Sequence, residues 1–329
     1  MTTTQRDAID EMLRHAPFDL GGDVAVQRPL FEQMLTAHAL PDDVVVAPRE
    51  LGGVKVIGLQ IADVEVVGTV LHLHGGGFAI GSARASLGLA ADLARRTQMR
   101  VLSVDYRLAP EHPYPAALSD VSAAYEALVA EVDATHPIVV TGESAGGNLA
   151  LALLVARRRD GLDMPAAIVL MSPMTDLTVS GPSFVSKAAV DPVLSAQAIR
   201  TRVDTYLAGA DSSDALVSPV NADLSGLPAM LIQVGSHEVL LDDSTRLAAR
   251  AAADDVAVTL DVTPGVPHVF QAFAGILDEG DAALERIARF VEHAVEASDG
   301  AGSSHGLLRE RRETGPMKAG KSRSRATAW

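Results

Sequence analysis

The stretch Ile138-Val139-Val140-Thr141-Gly142-Glu143-Ser144-Ala145-Gly146-Gly147-Asn148-Leu149 admits few folds. Its β-branched start reads as a buried strand, its Ala/Leu continuation as a helix, and a very tight turn joins them. The turn spells G-x-S-x-G, with Ser144 at its centre. A strand–turn–helix of this kind holds the serine in a strained conformation, with its oxygen clear of the sheet. Gly142 and Gly146 stand where a Cβ would meet neighbouring backbone, and Gly147 lets the helix lie close to the strands. The helix N-terminus aims free N–H groups and positive partial charge past the serine. A serine hydroxyl is a poor nucleophile until a base takes its proton, so a base must be sought elsewhere in the chain.

The flanking sequence alternates strands and helices. Strands are expected at Val44–Val46, Val54–Ile57, Val64–Leu73, Met99–Val104, Ala166–Met171, Met230–Val234 and Val256–Val262. Helices are expected at Arg84–Arg96, Pro115–Val129, 241–252 and 279–296. This order predicts a mostly parallel central sheet with helices on both faces. One connection breaks the rhythm: over fifty residues separate Pro173 from Leu231, against ~30 for a complete βαβ unit. That insert holds Asp191-Pro192 and a helix ending near Leu207. Residues 1–40 are helical by spacing, with Pro17, Pro29 and Pro41 as punctuation. The expected organisation is a core over 45–180 and 217–297, with 1–44 and 181–216 forming one helical cap over the sheet's C-terminal edge. The Gly/Ser/Arg-rich 298–329 reads as a disordered basic tail.

The 329-residue chain contains no cysteine, which excludes a disulfide framework, a thiolate metal site and a cysteine nucleophile. The net charge of −15 divides unevenly: after residue 300 there are seven basic and two acidic residues, so the tail carries +5 and the body −20. An acidic body repels nucleic acid. Met1–Leu13 lacks the basic and apolar regions of a signal peptide. No apolar run approaches the ~18 residues of a membrane span. A soluble cytoplasmic location is expected.

A serine nucleophile needs a base, an orienting acid and an oxyanion hole. Downstream of Ser144 stand His237, His268, His293 and His305. His293 falls inside the last helix and His305 in the tail. His268 falls in a loop after the last strand, where a base can hang over the sheet edge. The acid should follow the preceding strand: Glu238 is the choice, with Asp242 and Asp243 as competitors that helix N-terminal placement also explains. Ala145 supplies one oxyanion N–H, and His74-Gly75-Gly76-Gly77 the others. Neither a Walker pattern nor a dinucleotide fingerprint accompanies those glycines.

His74-Gly75-Gly76-Gly77-Phe78, Asp105-Tyr106-Arg107-Leu108-Ala109-Pro110-Glu111-His112-Pro113-Tyr114-Pro115-Ala116-Ala117 and Gly142-Glu143-Ser144-Ala145-Gly146 occur in that order. Together they resemble the hormone-sensitive-lipase-like branch of the α/β-hydrolases, over roughly 45–295. The resemblance implies an α/β-hydrolase fold and a serine carboxylesterase needing no cofactor. It further implies Gly76, Gly77 and Ala145 as oxyanion donors, with His74 shaping the loop. A cis peptide is expected at Ala109-Pro110 or Tyr114-Pro115. Two departures stand out. The residue before the serine is usually Asp or Thr in the family and is Glu143 here; the triad acid is more often Asp. Gly-Glu-Ser-Ala-Gly is commoner in cholinesterase-like enzymes, but those are longer, disulfide-bearing and lack the Tyr106–Ala117 segment. Glu143 is expected to point inward and pair with a cation, Arg107 being the candidate.

Phe78, Phe31, Phe184 and Val190 are the expected pocket residues. With only 4% aromatics, short- to medium-chain soluble esters are favoured over triglycerides. Amides, lactones or a natural product's acetyl group would suit the same chemistry. A non-catalytic receptor of this fold is the other alternative, and His268 argues against it. The edge strand 256–262 offers a surface for a homodimer.

Overall fold

A computed structural model describes the backbone of residues 2–313 and the side chains of 3–297. The N-terminal helices are α1 (Thr2–Arg14) and α2 (Val24–Leu35). The chain then enters β1 (Val44–Leu51), β2 (Val54–Ile61), β3 (Thr69–Leu73), α3 (Leu87–Thr97), β4 (Arg100–Val104), α4 (Ala116–Glu131), β5 (Ile138–Glu143) and α5 (Ala145–Arg159). Beyond β6 (Ala167–Met171) lies the insert with α6 (Ser183–Ser186) and α7 (Ala196–Leu207). The core closes with β7 (Ala229–Gly235), α8 (Leu241–Ala253), β8 (Val258–Thr263) and α9 (Asp278–Glu313).

The eight strands form one sheet in the order β1-β2-β4-β3-β5-β6-β7-β8. Only β2 pairs antiparallel with its neighbours; every other pairing is parallel. Alternate residues explain how helices cover both faces. Val70, Val101, Val139, Val169 and Leu231 face α3 and α9, packing with Leu89, Leu93, Leu284 and Ile287. Their successors Leu71, Leu102, Val140, Leu170 and Ile232 face α4, α5 and α8. The chain leaves β3 toward β4 and then returns to β5 on the other side. Loops leaving the C-terminal ends of β3 and β5 therefore meet at a point where strand order reverses, the usual binding crevice of an open parallel sheet. α5 is buried on almost every side, from Ala145 to Val155, which suits a sequence apolar all round except for Asn148, whose amide donates to the Met174 and Val217 carbonyls.

Three elements differ from expectation. The strand expected from Val64 begins only at Thr69, because its neighbours β4 and β5 start opposite that residue and leave 64–68 without a ladder. Helix α3 starts at Leu87 rather than Arg84. The backbone of α9 runs to Glu313, so part of the stretch expected to be disordered is helical; Leu307, Leu308 and the Arg/Glu run after them are good helix formers. Residues 314–329, the rest of that stretch, lie outside the described residues. Both Ala109-Pro110 and Tyr114-Pro115 are cis.

The N-terminal segment and the insert meet. Buried Arg202 of α7 donates from Nε to the Leu20 carbonyl and from Nη2 to that of Gly22. Arg14 donates to the Val190 carbonyl at 3.1 Å. Arg28 of α2 reaches the core, donating to the carbonyls of Ala79 and Ala109 at 2.8 and 3.0 Å and pairing with Glu111. No described helix is long and apolar enough to cross a membrane.

Candidate active site

Ser144 sits between β5 and α5 with φ 53° and ψ −117°. A side-chain-bearing residue there is strained by roughly 1–3 kcal/mol, so the surrounding structure must enforce it. Its N–H donates to the Met171 carbonyl at 3.0 Å and its carbonyl accepts from Met174 N at 3.0 Å. The glycines permit the turn: a Cβ on Gly142 would lie 2.3 Å from the Gly146 carbonyl oxygen, and one on Gly146 2.0 Å from that of Leu73. The Ala145 N–H is the first of α5, beyond reach of any carbonyl within that helix.

The loop after β3 lies against this turn. A Cβ on Gly75 would stand 3.3 Å from both the Glu143 carbonyl oxygen and Ser144 Cβ. Gly76 has φ 111°, and a Cβ there would fall 2.2 Å from the Ile80 carbonyl oxygen. Beneath the loop, the His74 ring stacks on Tyr106 at 4.1 Å, and Tyr106 Oη donates to the His74 carbonyl at 2.7 Å. His74 Nδ1 sits 2.7 Å from the Gly75 carbonyl oxygen and therefore carries the proton. Burial pushes its pKa down to about 4, so it is neutral and occupied in shaping the loop.

Glu143 is buried, and its Oε1 accepts from Gly75 N at 3.1 Å and Ser86 Oγ at 3.0 Å. The expected partner Arg107 instead pairs with Asp120, Nη2 to Oδ1 at 2.6 Å. Arg107 is half-exposed, where solvation favours a charge, whereas the Glu143 carboxylate turns toward the neutral donors of the β3 loop. Burial raises the Glu143 pKa despite those two bonds.

The loops after β7 and β8 bring Glu238 and His268 together, with His268 Nδ1 2.8 Å from Glu238 Oε2. Asp242 and Asp243 are engaged elsewhere: Asp242 Oδ2 accepts from Ser183 N, and Asp243 Oδ2 from Thr175 and Asp176 N. Glu238 Oε1 accepts from Gly235 N and, at 2.7 Å, from Ser172 Oγ. The same Ser172 oxygen accepts from Val269 N at 3.0 Å. Ser172 thus joins the acid to the residue after the histidine, a role the sequence reading missed. Its position immediately after β6, on the same sheet edge as Ser144, was the available signal. Burial raises the Glu238 pKa against its hydrogen bonds. Burial alone would lower His268, but the bond to Glu238 and the charges of Glu238, Asp191 and Glu143 outweigh it and raise it.

The expected pocket residues are placed unequally. Phe78 is fully buried and stacks on Tyr206 at 3.8 Å. Phe184 is buried in the core. Phe31 is partly buried and packs against Phe18 at 4.9 Å. Val190 is partly buried. A cavity of about 960 Å³ opens elsewhere, between the ends of α1 and α2, the start of α3 and the 272–276 loop. Met12, Met34, Leu35, Leu87, Phe273 and Ile276 are among its lining residues. None of Ser144, Glu238, His268 and Gly75–Gly77 is among its lining residues.

A strained serine after β5, a buried histidine–carboxylate pair and a glycine loop against the serine all occupy one sheet edge. The chain belongs to the α/β-hydrolase family, whose sequence pattern matches residues 70–272, and by class it is a serine ester hydrolase. Among similar proteins, an esterase of Acinetobacter venetianus is 39% identical over 265 residues, 80% of this chain and 87% of that protein. An acetyl-hydrolase of Streptomyces hygroscopicus is 39% identical over 227 residues, 69% of this chain and 76% of that one. The crystal structure of an esterase from the bacterial hormone-sensitive lipase family superposes with a TM-score of 0.85 at 38% identity, covering 89% of this chain and 98% of that one.

Proposed function

We propose that this protein is a carboxylesterase that hydrolyses short- to medium-chain esters through Ser144, His268 and Glu238. The observation that carries this reading is the 2.8 Å contact between His268 Nδ1 and Glu238 Oε2. With Nδ1 engaged, Nε2 is the imidazole nitrogen left to take a proton. Ser144 attacks the ester carbonyl while His268 accepts its proton, and Glu238 holds the ring and stabilises the imidazolium. The N–H groups of Gly76, Gly77 and Ala145 receive the oxyanion. His268 then protonates the leaving alcohol, and water repeats the sequence on the acyl-enzyme. Residues 1–44 and 181–216 act as the cap, a role supported by the bonds of Arg202 to Leu20 and Gly22.

Two experiments test this. A fluorophosphonate should label the wild-type protein with a stoichiometry of one and leave Ser144→Ala unlabelled. A p-nitrophenyl ester panel should show turnover falling from butyrate to laurate; a rising trend would overturn the chain-length assignment. A second reading, removal of an acetyl group from a natural product, is favoured by the similar protein named acetyl-hydrolase, and acetylated amines and alcohols belong in the same panel. Edge strand β8 leaves Val262 exposed, which supports a homodimer through paired β8 edges. Light scattering should give twice the mass of one chain, and Val262→Lys should halve it.

A further inference from the structure

The carboxylate of Asp191 is nearly inaccessible to solvent, forms no ion pair with a Lys or Arg among the described residues, and has no part in the mechanism above. It belongs to the insert, between α6 and α7. Its Oδ1 accepts from Val193 N at 2.9 Å and Leu194 N at 2.8 Å, which closes a local turn. Its Oδ2 does something different: it accepts from Val239 N at 2.8 Å, across 48 residues of sequence. Val239 is the residue after Glu238. The insert grips the same short segment a second time, where Ser183 Oγ donates to the Val239 carbonyl at 2.6 Å and accepts from Asp242 N at 3.0 Å. Both polar backbone groups of Val239 are thus held by side chains of the insert.

A buried carboxylate without a cation is costly unless several N–H groups solvate it. A turn needs only one such bond, and a neutral Asn or Ser makes it equally well. The additional oxygen, turned toward Val239, and the retained charge therefore call for a different explanation. We propose that Asp191 is a positioning residue for the Glu238–His268 pair: it fastens the insert to the backbone that carries the acid and places a fixed negative charge within reach of the imidazolium formed during turnover. This rests on the triad reading given above.

The electrostatics of His268 agree with that assignment. The charged groups that act on the ring are Glu238, Asp191 and Glu143. Glu238 comes from the β7 loop, Asp191 from the insert and Glu143 from the end of β5. All three are carboxylates, so each supports the protonated ring, and Asp191 is the only one of them contributed by the insert. The consequence is functional coupling: wherever the insert loses its hold on Val239, the acid loses its anchor and the base loses part of its field.

The test separates the turn from the tether. Asp191→Asn keeps an acceptor for Val193 and Leu194 but turns an amide N–H₂ toward the N–H of Val239. Asp191→Ser keeps the turn and cannot span to Val239. For both, kcat on p-nitrophenyl butyrate should fall about tenfold with KM within a factor of two, the pattern of an interaction that matters in the transition state. The acid limb of kcat/KM against pH should move to lower pH. Asp191→Glu, which restores the charge, should return the limb toward its wild-type position. Unchanged kcat and an unmoved limb, with only the melting temperature lowered, would reduce Asp191 to a fold-stabilising turn and overturn the proposal. If Asp191→Asn does not fold, Asp191→Ser carries the same readouts. Fluorophosphonate labelling of the wild type keeps the two readings apart: an unlabelled wild type defeats the serine-esterase mechanism, whereas a labelled wild type with kinetically silent Asp191 variants defeats only this inference.

Discussion

His268 Nδ1 meets Glu238 Oε2 at 2.8 Å, while the other oxygen of the same carboxylate is already held by Ser172 and Gly235. That division of labour makes Glu238→Gln a severe change. A glutamine would give its carbonyl to the two donors and turn its N–H₂ toward His268. The ring would then keep its proton on Nε2, the wrong tautomer for a base. We expect kcat to fall by roughly 10³–10⁴, with an unaltered circular dichroism spectrum. Activity within tenfold of wild type would contradict the assignment of the acid.

The raised pKa of His268 sets the pH profile. The base must be neutral, so kcat/KM should drop as pH falls through a value above the ordinary histidine pKa of about 6.5. The same shift acts on stability with the opposite preference. A group that holds its proton more tightly when folded contributes stability below its unfolded pKa, and this contribution is lost as pH rises through the folded one. An activity profile flat from pH 5 to 8 would exclude His268 as the base.

Ser172 touches both Glu238 and the residue after His268. Ser172→Ala should leave the Val269 N–H without its acceptor and free Glu238 to swing. We expect a loss in kcat of roughly tenfold, much smaller than for Glu238→Gln, with KM little changed. Steady-state kinetics on one soluble ester measures both.

Glu143 anchors the loop after β3, the proposed oxyanion loop, through a single carboxylate oxygen. A Gln carbonyl can accept the same two bonds, so Glu143→Gln should retain most activity while moving the acid limb to lower pH, because one negative charge near His268 is removed. Glu143→Ala strands the buried Gly75 N–H and should cost about 1–3 kcal/mol of stability. Thermal melts of the two variants, read side by side with their pH profiles, decide this.

Asp243 is a buried carboxyl lying against Asp176, and burial first, then its neighbour's charge, raises its pKa to about 7. Its ordinary value is near 3.8. Folding therefore favours its protonated form, and stability drains away as pH rises from about 4 toward 7. Asp243→Asn, whose amide oxygen can still accept from Thr175 and Asp176, should melt higher than wild type at pH 8. The gap should close at pH 4. A wild-type advantage at pH 8 would reverse this assignment.

Much of this architecture is legible in the sequence alone. The strand–turn–helix around Ser144 was readable because the geometry tolerates almost nothing but glycine two positions to either side. The proposed order Ser144, Glu238, His268 was readable because each residue follows a recognisable apolar strand. The boundary at Thr69 was not, since it depends on where β4 and β5 begin rather than on anything in residues 64–68. The partner of Glu143 differs from expectation for a related reason: the helix carrying Asp120 is legible, but not the turn before it that brings Asp120 back against the Arg107 side chain and backbone N–H. Ser172 escaped notice, and Asp191 stood out only as part of an Asp-Pro pair without a role, because small polar residues in loops carry no periodic signal. Their importance comes from the distant backbone groups they reach.

The guanidinium of Arg202 accepts a dependency of timing. Its acceptors, the carbonyls of Leu20 and Gly22, are among the first parts of the chain to be synthesised, yet the arginine emerges only after most of the core strands. Until then the N-terminal helices have no mate from the insert. Only the contacts of Arg28 with Ala79, Ala109 and Glu111 become available to them earlier, while the core strands are laid down. On a ribosome that interval is when a nascent chain is open to proteases and chaperones. Removing the N-terminal segment through Gly22 would take both carbonyl acceptors from Arg202 and uncover its guanidinium, long after the sheet beneath it had formed.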